Sequence, residues 1–171
     1  AKREDTIMKQ FKKLAACLLA AVLALAMFSA CGRVSLNIQY DEAKKSDAAA
    51  ALAEYMEQAD TFSMTADAKM EKAAHDGLEP AIAYLCGKIS KQTSAVEIWT
   101  RTGMNLDDLQ ACYDEHRFIR IVIPESEYSY QAVQSKLQSE MAKVNAATAP
   151  TKYGMEAATY EGNVYIAMFM M

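Results

Sequence analysis

Across residues 129–171 the spacing of apolar positions changes from that of a helix to that of strands. In SYQAVQSKLQSEMAKVNAATA, Val133, Leu137, Met141 and Val144 recur at three- and four-residue intervals, and Ser129 stands where it caps the first turn. TKYGMEAATYEGNVYIAMFMM then predicts two strands joined by a turn at Glu161-Gly162-Asn163. In the final strand Val164, Ile166, Met168 and Met170 point one way, and Tyr165, Ala167, Phe169 and Met171 the other. Both sides are apolar. Such a strand has to be covered twice, inside a sheet held between two helical layers.

The upstream segments supply those layers. Residues 41–59 place Ala48, Leu52, Tyr55, Met56 and Ala59 on one helical face, and the run AAAALA favours the helix intrinsically. A second helix is expected from Thr65 as its cap, interrupted by Gly77 and Pro80. Leu78, Ile82, Leu85 and Ile89 then form a core stripe to about Lys91. SAVEIWT, residues 94–100, reads as a short strand or a loop bearing the only tryptophan. Asn105 caps a short helix over residues 106–116 with Leu109, Cys112 and Tyr113 inward, and residues 117–123 form a strand ended by Pro124. The expected architecture is α+β: one three-layer α/β/α sandwich over residues 41–171.

Composition changes this picture at the N-terminus. Residues 14–30 hold no charge, follow Lys9, Lys12 and Lys13, and end in FSA before Cys31-Gly32, the layout of a secretory signal peptide. A retained membrane anchor is the competing reading of the same apolar run. Phe28-Ser29-Ala30-Cys31 resembles a bacterial lipobox, with Phe28 in place of the usual aliphatic residue. It implies that Cys31 is lipidated and begins the mature chain, whereas an ordinary cleavage at Ala30 would leave it free. Two acyl chains suffice for stable anchoring where one is marginal. The division expected is a leader and signal peptide at 1–30, a lipidated cysteine and strand-like tether at 31–40, and the folded domain beyond. The protein is placed outside the cytoplasm, on a bacterial cell surface.

The whole chain of 171 residues carries a net charge of −4. Residues 1–30 contain five basic and two acidic side chains, so the remainder has 13 Lys+Arg against 20 Asp+Glu and a net charge of −7. That acidic body argues against a nucleic-acid ligand. Outside the cytoplasm Cys86 and Cys112 either form a disulfide or remain two small buried thiols.

Motifs that carry chemistry are few. The mature part has two histidines, His75 and His116, and no HExxH, GxSxG, GxxxxGK or CxxC element. Cys112 and His116 share a helical face by spacing, and with Cys86 would make three metal ligands; a core thiol beside an exposed imidazole is the simpler reading. His75, in KAAHDG, is expected at a helix end in a structural role. Tyr128 and Tyr130, with Trp99, are candidates to rim a binding groove, or to fill the margins of a core.

The order SMTADAKMEKAA, IWTRTG, RFIRIVIPES, SYQAVQSKLQSEMAKVNAAT, KYGMEAATYEGNVYIAMFMM resembles bacterial members of the CAP superfamily, or SCP-like domains, over residues 63–171. The resemblance implies the α/β/α sandwich and a cavity of histidines and glutamates. Trp99-Thr100-Arg101 falls where relatives read His-Thr-Arg, Ile119-Arg120-Ile121-Val122 where they read Gly-Glu-Asn-Ile, and Ala142-Lys143-Val144-Asn145 where they read His-x-x-Asn. Trp99, Arg101, Arg120, Ala142 and Asn145 would then mark a degenerate cavity that holds no metal or cofactor in the family manner, with the indole filling it. The expected function is binding of an envelope, protein or lipid partner. The alternatives are an envelope hydrolase using Cys86, Cys112 and His116, and a purely structural lipoprotein.

Overall fold

The computed structural model describes residues 34–171. The leader, the apolar run and Cys31 lie outside the described residues, among which no helix is long and apolar enough to cross a membrane. The fold is mixed α/β. In chain order it comprises β1 (Gln39–Tyr40), α1 (Glu42–Gln58), β2 (Thr65–Ala66), α2 (Ala68–Leu85), α3 (Lys91–Thr102), α4 (Leu106–Asp114), β3 (Phe118–Pro124), α5 (Tyr130–Met141), β4 (Lys152–Tyr160) and β5 (Asn163–Met170). The sheet order is β1-β4-β5-β3; β2 joins the start of β4 in parallel, and the other pairings are antiparallel.

The β4–β5 hairpin turns at Glu161 and Gly162, both at positive φ (47° and 74°), the backbone that matches strand twist in a two-residue connection. β5 is central, between β4 and β3, and both of its faces are covered. Val164, Ile166, Met168 and Met170 join Leu52 of α1 and Val133, Leu137 and Met141 of α5 in one core. Tyr165, Ala167 and Phe169 face the other, with Met70, Leu78 and Ile82 of α2, Ile98 of α3 and Leu109 of α4. There Phe169 stacks on Phe118 with ring centroids 4.1 Å apart. Gly154 of β4 sits directly under the first turn of α2, where a Cβ would lie 1.9 Å from the Glu71 nitrogen.

Each α-helix among the described residues begins at a polar cap: Asp41, Asp67, Ser90, Asn105 and Ser129 each accept a backbone N–H from their own first turn. The Lys44 ammonium, 2.7 Å away, holds the Asp41 carboxyl below its ordinary range. The Met70 N–H, with Lys152 behind it, does the same for Asp67. Both folded pKa values are depressed, so the stability they contribute is full above the usual carboxylate pKa of about 3.9 and is lost as pH falls through the lower folded values. The double variant Asp41→Asn, Asp67→Asn keeps cap acceptors without charge. Its urea midpoint should fall below the parent's at pH 7, and the gap should narrow as pH falls below about 3.9.

Four expectations need correction. The second helix starts after Asp67; Thr65 instead pairs with Lys152, its N–H bonding the Thr151 carbonyl. It runs unbroken through Gly77 and Pro80 to Leu85, because both residues are buried and Gly77 lets the helix approach Phe169 closely. The core stripe accordingly stops at Ile82, with Leu85 40% exposed. SAVEIWT is neither strand nor loop but the body of α3, capped by Ser90 and ended by Gly103 at φ 65°. Its polar residues explain the choice, since Ser94 Oγ donates to the Pro80 carbonyl at 3.0 Å and Glu97 pairs with Arg101 one turn on.

Candidate functional site

β4 presents Glu156 to the α2 side of the sheet, between Gly154 and Ala158. A carboxylate only 6% exposed on an apolar face needs partners. Glu156 Oε1 accepts the Ala157 N–H at 3.0 Å, and Oε2 lies 2.9 Å from His75 Nδ1 and 3.9 Å from Lys45 Nζ. The His75 ring is half exposed, and the Tyr40 ring of β1 stacks on it with centroids 4.2 Å apart. The Tyr40 O–H donates to the His75 carbonyl at 3.2 Å. His75 is therefore mid-helix, not at a helix end, and is set by a buried acid.

These residues wall an open cleft of about 420 Å³, lined by Tyr40, His75, Asp76, Thr100 and Arg101. Three elements build it: β1, the middle of α2 and the last turn of α3. Arg101 is a strut. Its Nε donates to Glu97 at 2.7 Å, Nη1 to Glu79 at 2.5 Å and Nη2 to the Val34 carbonyl at 2.7 Å. Glu79 also accepts the Leu36 N–H, so residues 34–40 are tied along the cleft, with Leu36 and Ile38 against the adjoining core. Burial raises the Tyr40 pKa, and the carboxylates of Glu156, Glu79 and Asp76 raise it further against the opposing pull of Arg101. With Nδ1 held by Glu156, Nε2 of His75 makes no hydrogen bond among the described residues and is available to a ligand.

The residues singled out from the sequence do not converge. Of the five expected cavity positions, only Arg101 lines this cleft. Trp99 lies at the margin of the core beneath α2 and α3. Arg120 lies on β3, its guanidinium over the rings of Phe118, Tyr84 and Tyr113. Ala142 and Asn145 are exposed beyond α5, on the opposite side of the sheet, where Asn145 caps a short 3-10 turn. Tyr128 and Tyr130 share no groove with Trp99. Their hydroxyls donate to Asp47 (2.7 Å) and Glu54 (2.8 Å) of α1, locking α5 to α1 across the sheet from the indole.

Cys86 and Cys112 are free thiols. Cys86 Sγ lies 3.1 Å from the Tyr165 hydroxyl, and Cys112 Sγ lies 3.8 Å from the Met170 carbonyl. The two thiols thus contact different stretches of β5 and form no disulfide. Burial pushes the Cys112 thiol up to about 11, away from thiolate chemistry. His116 turns to Glu140, its Nε2 2.8 Å from Oε2. Among the described residues no group of three or more His, Cys, Asp or Glu side chains could hold a metal ion.

Sequence reasoning passed over Tyr40, Glu156 and the role of His75. One signal was there: Glu156 is the single charge inside the run YGMEAATY, whose other positions fit a buried strand. Its partner is 81 positions away, and no local pattern joins the two. Comparison of the chain with protein-family models, with curated proteins and with solved structures finds no match.

Proposed function

We propose that this chain is a bacterial envelope protein, lipid-anchored through Cys31, whose cleft between β1, α2 and α3 binds a ligand of the envelope without transforming it. The observation that carries the binding reading is the Tyr40–His75–Glu156 stack at the cleft. A buried carboxylate fixes an imidazole whose second nitrogen is free, and an aromatic ring shields one face of that imidazole. Polar groups fixed in a concave site are what a ligand pocket uses for orientation. The remaining polar side chains there are occupied: Arg101 by three acceptors, Thr100 by the Val96 carbonyl, and Asp76 by Lys72. Binding therefore fits the cleft better than nucleophilic catalysis.

The anchor rests on the lipobox-like FSAC. The kinship with CAP-like sandwiches is likewise a proposal, supported by helices on both faces of the sheet and by the order of elements. The cleft used here is not the degenerate cavity that the resemblance implied.

Two variants test the two halves. Cys31→Ser should move the chain from the membrane pellet to the supernatant after detergent-free lysis, and a variant that stays in the pellet refutes the lipid anchor. Tyr40→Ala should cut the yield of envelope material captured by the immobilised chain at least about tenfold, the loss expected for a residue at the centre of a contact. Capture equal to the parent's refutes the cleft.

A further inference from the structure

Among the described residues β3 is an edge strand whose outer side has no partner. The Met170 N–H bonds the Arg117 carbonyl, and the Glu125 N–H bonds the Gly162 carbonyl. In an antiparallel ladder these two bonds set the phase, so the odd-numbered residues of β3 bond to β5. Phe118, Arg120 and Val122 turn their N–H and C=O groups outward; Phe118 is covered, only 3% exposed, whereas Arg120 and Val122 are partly open, and no strand among the described residues takes their groups. Alongside runs a second open groove of about 420 Å³, walled by Arg120, Ile121 and Val122 of β3 and by Ser135, Lys136, Ser139 and Glu140 of α5.

Charge says what fits there. In a chain of net charge −4, this edge bears two cations with no carboxylate within ion-pair distance among the described residues. Arg120 sits over three aromatic rings on one side of the sheet, and Lys136 projects from α5 on the other. The one acid of the groove, Glu140, is already bonded to His116 and Lys143. Two like-charged edges repel, which disfavours pairing with a second copy.

We propose that the outer edge of β3 receives an extended acidic peptide segment of another protein by strand addition. The entering strand takes the outward N–H and C=O groups of Arg120 and Val122. Successive side chains of a strand point to opposite faces. Two adjacent carboxylates on the peptide therefore reach Arg120 on one face and Lys136 on the other. Main-chain bonds hold such a segment and the two cations select it.

The test uses the isotope-labelled full chain in detergent micelles. It is titrated with a capped seven-residue β-branched peptide carrying two central glutamates, and with the same peptide carrying two lysines. The glutamate peptide should shift the amide signals of Arg120 and Val122 and bind at least tenfold tighter than the lysine peptide. Val122→Pro removes one outward N–H at an edge position where proline is tolerated, and should weaken binding at least tenfold while the amide spectrum shows the fold retained. If that variant misfolds, Lys136→Glu decides by reducing or reversing the preference between the peptides. Equal affinity for both peptides, no binding, or concentration-dependent shifts of the same amides without peptide would each overturn the proposal, the last by showing a second copy on the edge.

Discussion

Gly154→Ala is expected to cost about 3 kcal/mol or more of folding stability, read as a lowered urea midpoint. The new methyl would lie 1.9 Å from the Glu71 nitrogen, 2.1 Å from the Met70 carbonyl carbon and 2.4 Å from the Glu71 Cα. All three are backbone atoms, so no side-chain rotation relieves the clash, and α2 or β4 must shift. α2 underlies the Phe118–Phe169 core and positions His75, so a shift would disturb both packing and cleft. Overpacking usually costs about 1–3 kcal/mol, and a contact that moves whole elements belongs at or above that range. Gly162→Ala is the control. It has nothing within 4 Å but sits at φ 74°, so its loss should be only about 1 kcal/mol, from backbone strain alone. A Gly154→Ala chain no less stable than the Gly162→Ala chain would show that α2 does not press on β4 as described.

The second large effect belongs to Arg101→Ala. Its guanidinium joins Glu97, with 6% of its side chain exposed, to Glu79, 18% exposed, and to the Val34 carbonyl. Removing the cation leaves one nearly buried carboxylate and one largely covered carboxylate without their partner. Breaking such a pair from one side costs about 3–5 kcal/mol, far more than an exposed salt bridge is worth. A loss near the lower end of that range is expected, together with faster amide exchange over residues 34–40, which lose the Val34 bond. Arg101→Lys should recover little, because an ammonium cannot reproduce three donors directed to three separate acceptors. Adding Glu97→Gln to Arg101→Ala should restore part of the stability by removing the stranded charge. A double variant less stable than Arg101→Ala by the full effect of Glu97→Gln alone would show that the two side chains are not energetically coupled.

The resemblance to CAP-like domains and the geometry of the cleft meet at one residue. Arg101 was marked as half of the surviving Thr-Arg pair, and it lines the cleft, though as a strut rather than a ligand group. The other marked positions failed to converge because an ungapped register carries no information about which face of which element a residue occupies. Trp99 and Arg101 are two apart on α3, and a helix turns about 200° between such positions. One enters the core margin and the other the cleft.

What the sequence determined was what short-range physics can write into a chain. The alternation in residues 164–171, apolar on both sides, required a central strand with cover on two faces, and β5 is that strand. The stripe Val133, Leu137, Met141, Val144 and the caps Asn105 and Ser129 fixed their helices, because periodicity and capping act within one or two turns. Only the tertiary structure decided that Pro80 stays inside α2, that residues 94–100 form a helix, and that Cys86 and Cys112 stand apart. In each case a distant partner outweighs a local preference: the sheet against Gly77 and Pro80, the Pro80 carbonyl for Ser94, and different stretches of β5 for the two thiols. The candidate site is the extreme instance. Tyr40, His75, Arg101 and Glu156 come from four elements, brought together by partners far apart in sequence: Glu156 for His75, and Glu79 and the Val34 carbonyl for Arg101.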